Sequence, residues 1–124
     1  MIKRKNIPKE RRIEVYNKYD GHCAYCGCDL EYKDMQVDHL IPLQAWDYNE
    51  APANLDPYDI KNLMPACRTC NHYKRYHDIE VFRKMIENIP KKLGERQYIY
   101  KVGMKYNFFD NKPKKVTFYF EQFD

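Results

Sequence analysis

Two cysteine pairs with the same internal spacing constrain the fold of this chain more than any other feature. Cys23 and Cys26 are separated by two residues, and Cys67 and Cys70 repeat that spacing. A pair spaced in this way can direct two thiolates at one ion, and two such knuckles form the closed four-sulfur site that is typical of structural zinc. We therefore predict one structural zinc ion bound by these four cysteines.

Two other uses of the cysteines are conceivable from the sequence. Buried free thiols pack as small hydrophobic side chains, which is the simplest alternative to zinc. A disulfide framework is not favoured, because no apolar stretch follows the basic N-terminus to suggest a secretory signal. Cys28 is the fifth cysteine. It could replace Cys26 only with strain, so we exclude it from the site.

Composition excludes some classes of protein and leaves others open. Charged residues make up 32% of the chain, and the mean hydropathy is -0.89. No segment approaches the roughly 18 apolar residues that a membrane helix needs, so we expect no membrane association and a cytoplasmic location. The formal charge of +4 is compatible with a polyanionic partner but does not identify one.

The length of 124 residues predicts a single domain, residues 1–124. Within it we expect an N-terminal helix over residues 8–19 and a zinc-stabilised core over residues 20–90. Residues 91–124 should form a C-terminal extension with a helical part. The strand-forming aromatic residues near its end predict a terminal strand or hairpin.

Patterning inside the core predicts strands first and a helix afterwards. Residues 35–42 alternate between apolar and polar side chains, which favours one arm of a β-hairpin, and residues 62–67 form a second short extended piece. A helix is expected from Asn71, with a break near Asp78 and a continuation to residue 89. The order of these elements predicts an α+β fold.

Polar residues suited to phosphodiester chemistry lie between and directly after the knuckles. Asp38 and His39 are adjacent, Asn62 opens an Asn-Leu-Met-Pro segment, and Asn71 follows Cys70. A carboxylate is a hard ligand for a divalent cation, and an imidazole titrates near neutral pH. Neighbouring strand residues point to opposite faces, so a bend or bulge is needed to bring Asp38 and His39 into one site.

This ordered set of motifs resembles the HNH nuclease superfamily, over about residues 10–85. The similarity is to small phage and prophage HNH endonucleases whose CxxC zinc knuckles flank the motif. The resemblance implies a ββα-metal (His-Me finger) core with a structural four-cysteine zinc site and flanking helices. It also implies a hydrolase acting on ester bonds, an endonuclease that nicks or cuts both strands of DNA, in a bacterial host cell or encoded by a phage.

The resemblance also implies a role for each polar residue. Asp38 and Asn71 stand where the family binds a catalytic divalent metal, which we expect to be Mg or Mn. His39 stands at the general base that activates water, and Asn62 at the residue that braces the catalytic loop. A metal held there would stabilise the phosphorane and the leaving 3′ oxygen, giving a 5′-phosphate and a 3′-hydroxyl.

Several points stay open at the level of the sequence. Arg68, Lys74 and Arg75 are expected to contact DNA phosphates, and His72 could replace Asn71 as a metal ligand. A catalytically inactive zinc-knuckle module that binds nucleic acid, or an HNH nuclease acting on RNA, would carry similar motifs.

Overall fold

The computed structural model describes residues 1–110 and 112–123. It contains short helices and one small antiparallel sheet, so the predicted α+β class is confirmed. The elements are α1 Lys9–Asn17, β1 Gln36–His39, α2 Gln44–Asp47, β2 Leu63–Ala66, α3 Arg68–Lys74, α4 Ile79–Glu87, α5 Ile89–Arg96 and α6 Tyr98–Lys105. Short 3-10 helices cover Tyr32–Asp34, Ile60–Asn62 and Tyr119–Gln122.

Backbone contacts group the chain into two units. The first comprises Met1–Ile79 together with the residues from Thr117 onward, and the second comprises Glu80–Val116. The first unit contains both cysteine pairs and every polar residue that the sequence singles out. The single-domain organisation and its boundaries at residues 20 and 90 stay predictions.

The sheet consists of β1 and β2 paired antiparallel, with Gln36 opposite Ala66 and His39 opposite Leu63. Both extended pieces predicted from the sequence are therefore present. They are not joined by a tight turn, because α2 and the second 3-10 helix lie between them. Each strand is only four residues long, so packing against the helices must supply most of its stability.

The core of the first unit forms where α1 meets the sheet. Its central buried residues come from α1, from the segment after the first knuckle and from both strands; they are Val15, Leu30, Met35, Val37 and Leu63. The predicted N-terminal helix is present as α1. Its fully buried residue is Val15, whereas Ile13 is 41% exposed.

Helix α3 begins three residues earlier than predicted. Cys67 occupies the position before its first turn, and its Sγ accepts a hydrogen bond from the backbone N–H of Cys70. The second knuckle is therefore also the first turn of α3. The helix ends at Lys74, and Arg75 adopts a positive φ of 53°, a conformation that is uncommon for a residue with a side chain.

The predicted C-terminal strand or hairpin is wrong for the described residues. The tail forms helix α6 and then the 3-10 helix Tyr119–Gln122. Its backbone reaches the first knuckle, where Tyr119 N donates to Tyr25 O at 3.0 Å and Phe120 N donates to Ala24 O at 2.7 Å. Aromatic residues that favour strands serve here to cover the knuckle, because packing overrides local propensity.

None of the described helices has the length and apolar character needed to cross a bilayer.

Candidate functional site

The four paired cysteines converge on one point of the first unit. The Sγ atoms of Cys23, Cys26, Cys67 and Cys70 all lie within 4.8 Å of one another. Zn–S bonds of about 2.3 Å in a tetrahedron place sulfur atoms about 3.8 Å apart. The Cys26 and Cys67 sulfurs are 3.9 Å apart, so this donor set fits zinc. Cys28 lies outside the cluster, as the sequence predicted.

Electrostatics within the cluster favour a bound cation. The Cys70 thiol donates a hydrogen bond that, with backbone N–H groups, lowers the pKa of Cys23 to about 4. The same hydrogen bond raises the pKa of Cys70 far above its ordinary value, and burial raises the pKa of Cys67. Four neighbouring thiols cannot all ionise without a compensating positive charge, which a divalent cation supplies.

Asp38 and His39 line one cavity of about 370 Å³, together with Asn71. The two residues are consecutive, and strand geometry alone would direct them to opposite faces. Both residues belong to β1, whose pairing with β2 is regular through His39, and the bend lies at Leu40, after the strand. The bend or bulge expected between Asp38 and His39 is therefore absent. The structure thus brings together three of the predicted catalytic residues.

The Asp38 carboxylate is buried and held on one side. Its Oδ2 accepts a hydrogen bond from the Tyr25 hydroxyl and an ion pair from the Lys74 ammonium at 2.9 Å. Lys74 Nζ also donates to the backbone oxygen of His39 at 3.0 Å. Among the described residues both side-chain contacts fall on Oδ2, which leaves Oδ1 as the oxygen suited to a cation.

The predicted contact between Lys74 and a DNA phosphate is wrong. The Lys74 side chain is fully buried, and its ammonium is engaged by Asp38 and His39. A buried ammonium requires a partner charge, so it cannot leave this position for the surface. Lys74 therefore positions Asp38. The sequence could not reveal this contact, because the packing of α3 against β1 decides which of its side chains face the interior.

Asn71 is oriented by a residue that sequence reasoning missed. Its Nδ2 donates to Gln36 Oε1 at 2.6 Å, which turns its carbonyl oxygen away from Gln36 and makes it available as a ligand. Gln36 and Asp38 alternate on β1, and they meet Asn71 and Lys74, one turn apart on α3. Gln36 therefore lies opposite Asn71, and Asp38 lies opposite Lys74.

His72 differs from its neighbour Asn71 in both position and exposure. It is exposed on α3, and the lining of the cavity includes Asn71 but not His72. The geometry therefore offers Asn71 to a cation in the cavity and does not offer His72.

His39 is almost completely enclosed, with 6% of its surface exposed. Its ring meets Tyr58 edge-on, with the ring centroids 4.9 Å apart. Burial lowers the pKa of His39 below its ordinary value; Asp38 opposes this shift, and the charges of Arg4 and Lys74 add to it. Its Nε2 is a buried atom with no hydrogen-bond partner within the described chain, a deficit typical of sites that a ligand completes.

Asn62 lies beneath the bend that follows His39. Its Oδ1 accepts a hydrogen bond from Ile41 N at 2.8 Å, and its Nδ2 donates to Ile41 O and to Pro57 O. It is 1% exposed, and all three bonds hold backbone groups that would otherwise be unsatisfied. Asn62 therefore ties the start and the end of the loop between the strands.

Two arginines line the cavity. Arg75 stands at the end of α3, and Arg4 comes from the N-terminal segment. Arg68, the remaining predicted DNA contact, is exposed at the start of α3 and is absent from the lining. Sequence reasoning missed Arg4 because its distance along the chain from Asp38 hides their proximity in space.

Comparison with known proteins matches residues 23–76 to the family model described as HNH endonuclease, which confirms the resemblance seen in the sequence. The Septu protein PtuB of Bacillus thuringiensis is 32% identical over 69 residues, covering 54% of this chain and 24% of PtuB. The CRISPR-associated endonuclease Cas9 of Corynebacterium diphtheriae is 23% identical over 116 residues, covering 90% of this chain and 10% of Cas9.

A solved structure is also similar. The crystal structure of the Type II-C Cas9 enzyme from Actinomyces naeslundii aligns with 68% of this chain and 9% of its own, at 23% identity and a TM-score of 0.49. The chain spans about a quarter of PtuB and a tenth of the Cas9 of Corynebacterium diphtheriae.

Proposed function

The chain carries an HNH domain over residues 23–76, and on that premise we propose that it is a metal-dependent endonuclease that hydrolyses phosphodiester bonds in DNA. The observation that carries this proposal is the meeting of Asp38, His39 and Asn71 in one cavity. Two oxygen donors and a histidine with a lowered pKa are the groups that metal-assisted attack by water requires.

The residues present fit a hard divalent cation. The Asp38 Oδ1 and Asn71 Oδ1 atoms are oxygen donors, which Mg and Mn prefer, and their partners on Lys74 and Gln36 hold both groups in place. A bound Mg or Mn ion would supply positive charge for the phosphorane and for the leaving 3′ oxygen. With two protein ligands, the other coordination positions of the ion would be open to water and substrate.

His39 is proposed as the general base. Burial favours its neutral form, and only neutral imidazole can accept a proton from the attacking water. Tyr58 fixes the ring from one side, and Asn62 fixes the backbone that follows it. Arg75, directly after the end of α3, and Arg68, at its start, would contact substrate phosphates.

The structural zinc forms part of the proposal. Cys23, Cys26, Cys67 and Cys70 would hold it, and its role is to join the first knuckle to α3, the helix that carries Asn71 and Lys74. A closed four-sulfur site leaves no open position for water, so this ion would stabilise the fold without taking part in the reaction.

Two alternatives remain distinct from this proposal: an inactive zinc-knuckle module that binds nucleic acid, and a nuclease for RNA. Intact Asp38 and His39 in one cavity favour an enzyme over a binding module, and the DNA substrate rests on the family resemblance. A phage or prophage context and a cytoplasmic location are expectations from the sequence alone.

The test is an incubation of the purified chain with supercoiled plasmid, single-stranded DNA and RNA, each with Mg, Mn or EDTA. We expect DNA nicking or linearisation with either metal and none with EDTA. The nicks should be sealed by DNA ligase, because ligation requires a 5′-phosphate and a 3′-hydroxyl. Cleavage of RNA alone would support the second alternative, and binding without cleavage the first.

A further inference from the structure

The N-terminal strap, residues 1–8, lies outside the region matched by the HNH family model, yet its backbone is fixed on both sides of Arg4. The N–H of Ile2 donates to the Asp47 carboxylate, and the N–H of Lys5 donates to the Tyr58 hydroxyl at 2.7 Å. Ile7 packs against the core cluster. The strap is therefore held against the first unit at several points.

Arg4 is the residue that this anchoring presents to the catalytic cavity. It lines that cavity together with Asp38, His39 and Asn71. It also lines an adjoining cavity of about 480 Å³, and Arg4 and Asn71 are common to both. Within the described part of the chain, the Arg4 guanidinium has no carboxylate at ion-pair distance, in contrast to the Lys74 ammonium, which Asp38 neutralises.

The charge balance of the cavity indicates what Arg4 would bind. Arg4 is exposed and lines the cavity beside Asp38, so an anion that enters the cavity can contact its guanidinium and a cation held by Asp38 at the same time. Guanidinium offers a planar fork of donors that matches two phosphate oxygens. A phosphodiester is the anion that the proposed reaction brings to this cavity.

We propose that Arg4 binds the non-bridging oxygens of the phosphodiester in the catalytic cavity, which makes the N-terminal strap part of the active site. This inference rests on the proposed nuclease function and names a further substrate-binding residue for it. Arg4 and Arg75 then hold the substrate phosphates from two separate segments of the chain. Neither arginine belongs to a knuckle or to a strand.

Tyr58 links the strap to the general base. Its hydroxyl accepts the hydrogen bond from Lys5 N, its ring lies 5.9 Å from the Lys5 ammonium, and its edge meets the His39 ring. One side chain thus fixes both the segment that carries Arg4 and the histidine.

The experiment compares wild type with Arg4→Gln, Arg4→Lys and Lys3→Gln. Lys3 is the matched control, because it is an exposed cation in the same strap and lines neither cavity. Plasmid cleavage with Mg gives kcat/KM. Anisotropy of a fluorescein-labelled DNA duplex in EDTA gives affinity and its salt dependence, and thermal unfolding reports the fold.

We expect Arg4→Gln to lower kcat/KM by about 10- to 100-fold, the range for a hydrogen bond to a charged group. The slope of the logarithm of its DNA-binding constant against the logarithm of salt concentration (the salt slope) should become smaller in magnitude by about one. Arg4→Lys should recover part of the loss, and Lys3→Gln should stay within about twofold of wild type. All four proteins should unfold at the same temperature.

Equal losses in Arg4→Gln and Lys3→Gln, or an unchanged kcat/KM and salt slope in Arg4→Gln, would overturn the role of Arg4. If wild type cleaves nothing, the nuclease proposal fails, and the binding measurements in EDTA decide about Arg4 separately. A smaller slope in Arg4→Gln alone would then support its phosphate contact. An unchanged slope, or no DNA binding by wild type, would refute it.

Discussion

The hydroxyl of Tyr25 donates a hydrogen bond to Oδ2 of Asp38. Tyr25 lies between two of the clustered cysteines, Cys23 and Cys26, so a residue of the first knuckle directly contacts the candidate metal ligand. On the other side, Lys74 of α3 contacts the same oxygen, and α3 also carries Cys70. The cysteine cluster and the cavity lined by Asp38 and His39 therefore share the elements that position Asp38.

Removing this contact should weaken catalysis without unfolding the protein. We expect Tyr25→Phe to reduce metal affinity or activity by about 10- to 100-fold, the range for loss of a partner that orients a metal ligand. The measurement is plasmid cleavage across a magnesium titration, with Tyr98→Phe as control because Tyr98 is 81% exposed. The same half-saturating magnesium concentration and rate in both variants would show that Tyr25 does not position Asp38.

The buried pair of Lys74 and Asp38 should behave differently from a surface ion pair. Lys74→Met leaves a buried carboxylate without its partner, so we expect the free energy of unfolding to fall by about 3–5 kcal/mol. The double variant with Asp38→Asn should recover part of that loss. Urea unfolding measures both effects.

A matched control is available on the surface. Lys33 and Glu31 form an ion pair at 3.6 Å with both side chains largely exposed, and Lys33→Met should change stability little because water screens such pairs. A loss in Lys74→Met no larger than in Lys33→Met would contradict the buried pair. So would strictly additive effects of Lys74→Met and Asp38→Asn.

The zinc assignment predicts different behaviour for two exposed cysteines, one in the first knuckle and one directly after it. Cys26 belongs to the sulfur cluster, whereas Cys28 does not. Cys26→Ser should lose zinc by elemental analysis and unfold at lower temperature, because zinc binding is coupled to folding. Cys28→Ser should keep both the zinc and the stability of wild type. Equal zinc content in both variants would refute the four-cysteine site.

The environment of His39 predicts the acid limb of the pH profile. Burial lowers its pKa, and a metal held by Asp38 would act in the same direction, so the neutral base persists below the ordinary value of about 6.5. The unfolded chain then binds this proton at higher pH than the folded chain, and stability falls as pH falls between the two pKa values. On acidification, kcat/KM should therefore fall to half its plateau value only below pH about 6.5. A half-maximal point on the acid limb above that pH would contradict the lowered pKa of His39.

The features that the sequence predicted are those set by short spacings. The cysteine pairs specify a sulfur cluster because each knuckle is a local turn, and α1, β1 and β2 follow from patterns within one segment. Asp38 and His39 were singled out by the order and spacing of the whole motif set, which resembles the HNH superfamily, and not by residue type alone.

The features that the sequence did not predict depend on packing between distant segments. Lys74 was expected at the surface, but the position of α3 against β1 turns its side chain toward Asp38. The aromatic tail was expected to form a strand, but it covers the first knuckle instead. Arg4 reaches the cavity through anchors on Asp47 and Tyr58 that no local pattern encodes.

Cleavage of supercoiled plasmid by wild type, His39→Ala and His72→Ala with magnesium tests the central claim most directly. His72 is the matched control, an exposed histidine outside the cavity lining. We predict that His39→Ala loses about 100- to 10,000-fold in rate, the contribution of a general base, while retaining its fold and DNA binding, and that His72→Ala cleaves as wild type does. Equal cleavage by His39→Ala and His72→Ala would contradict His39 as the general base.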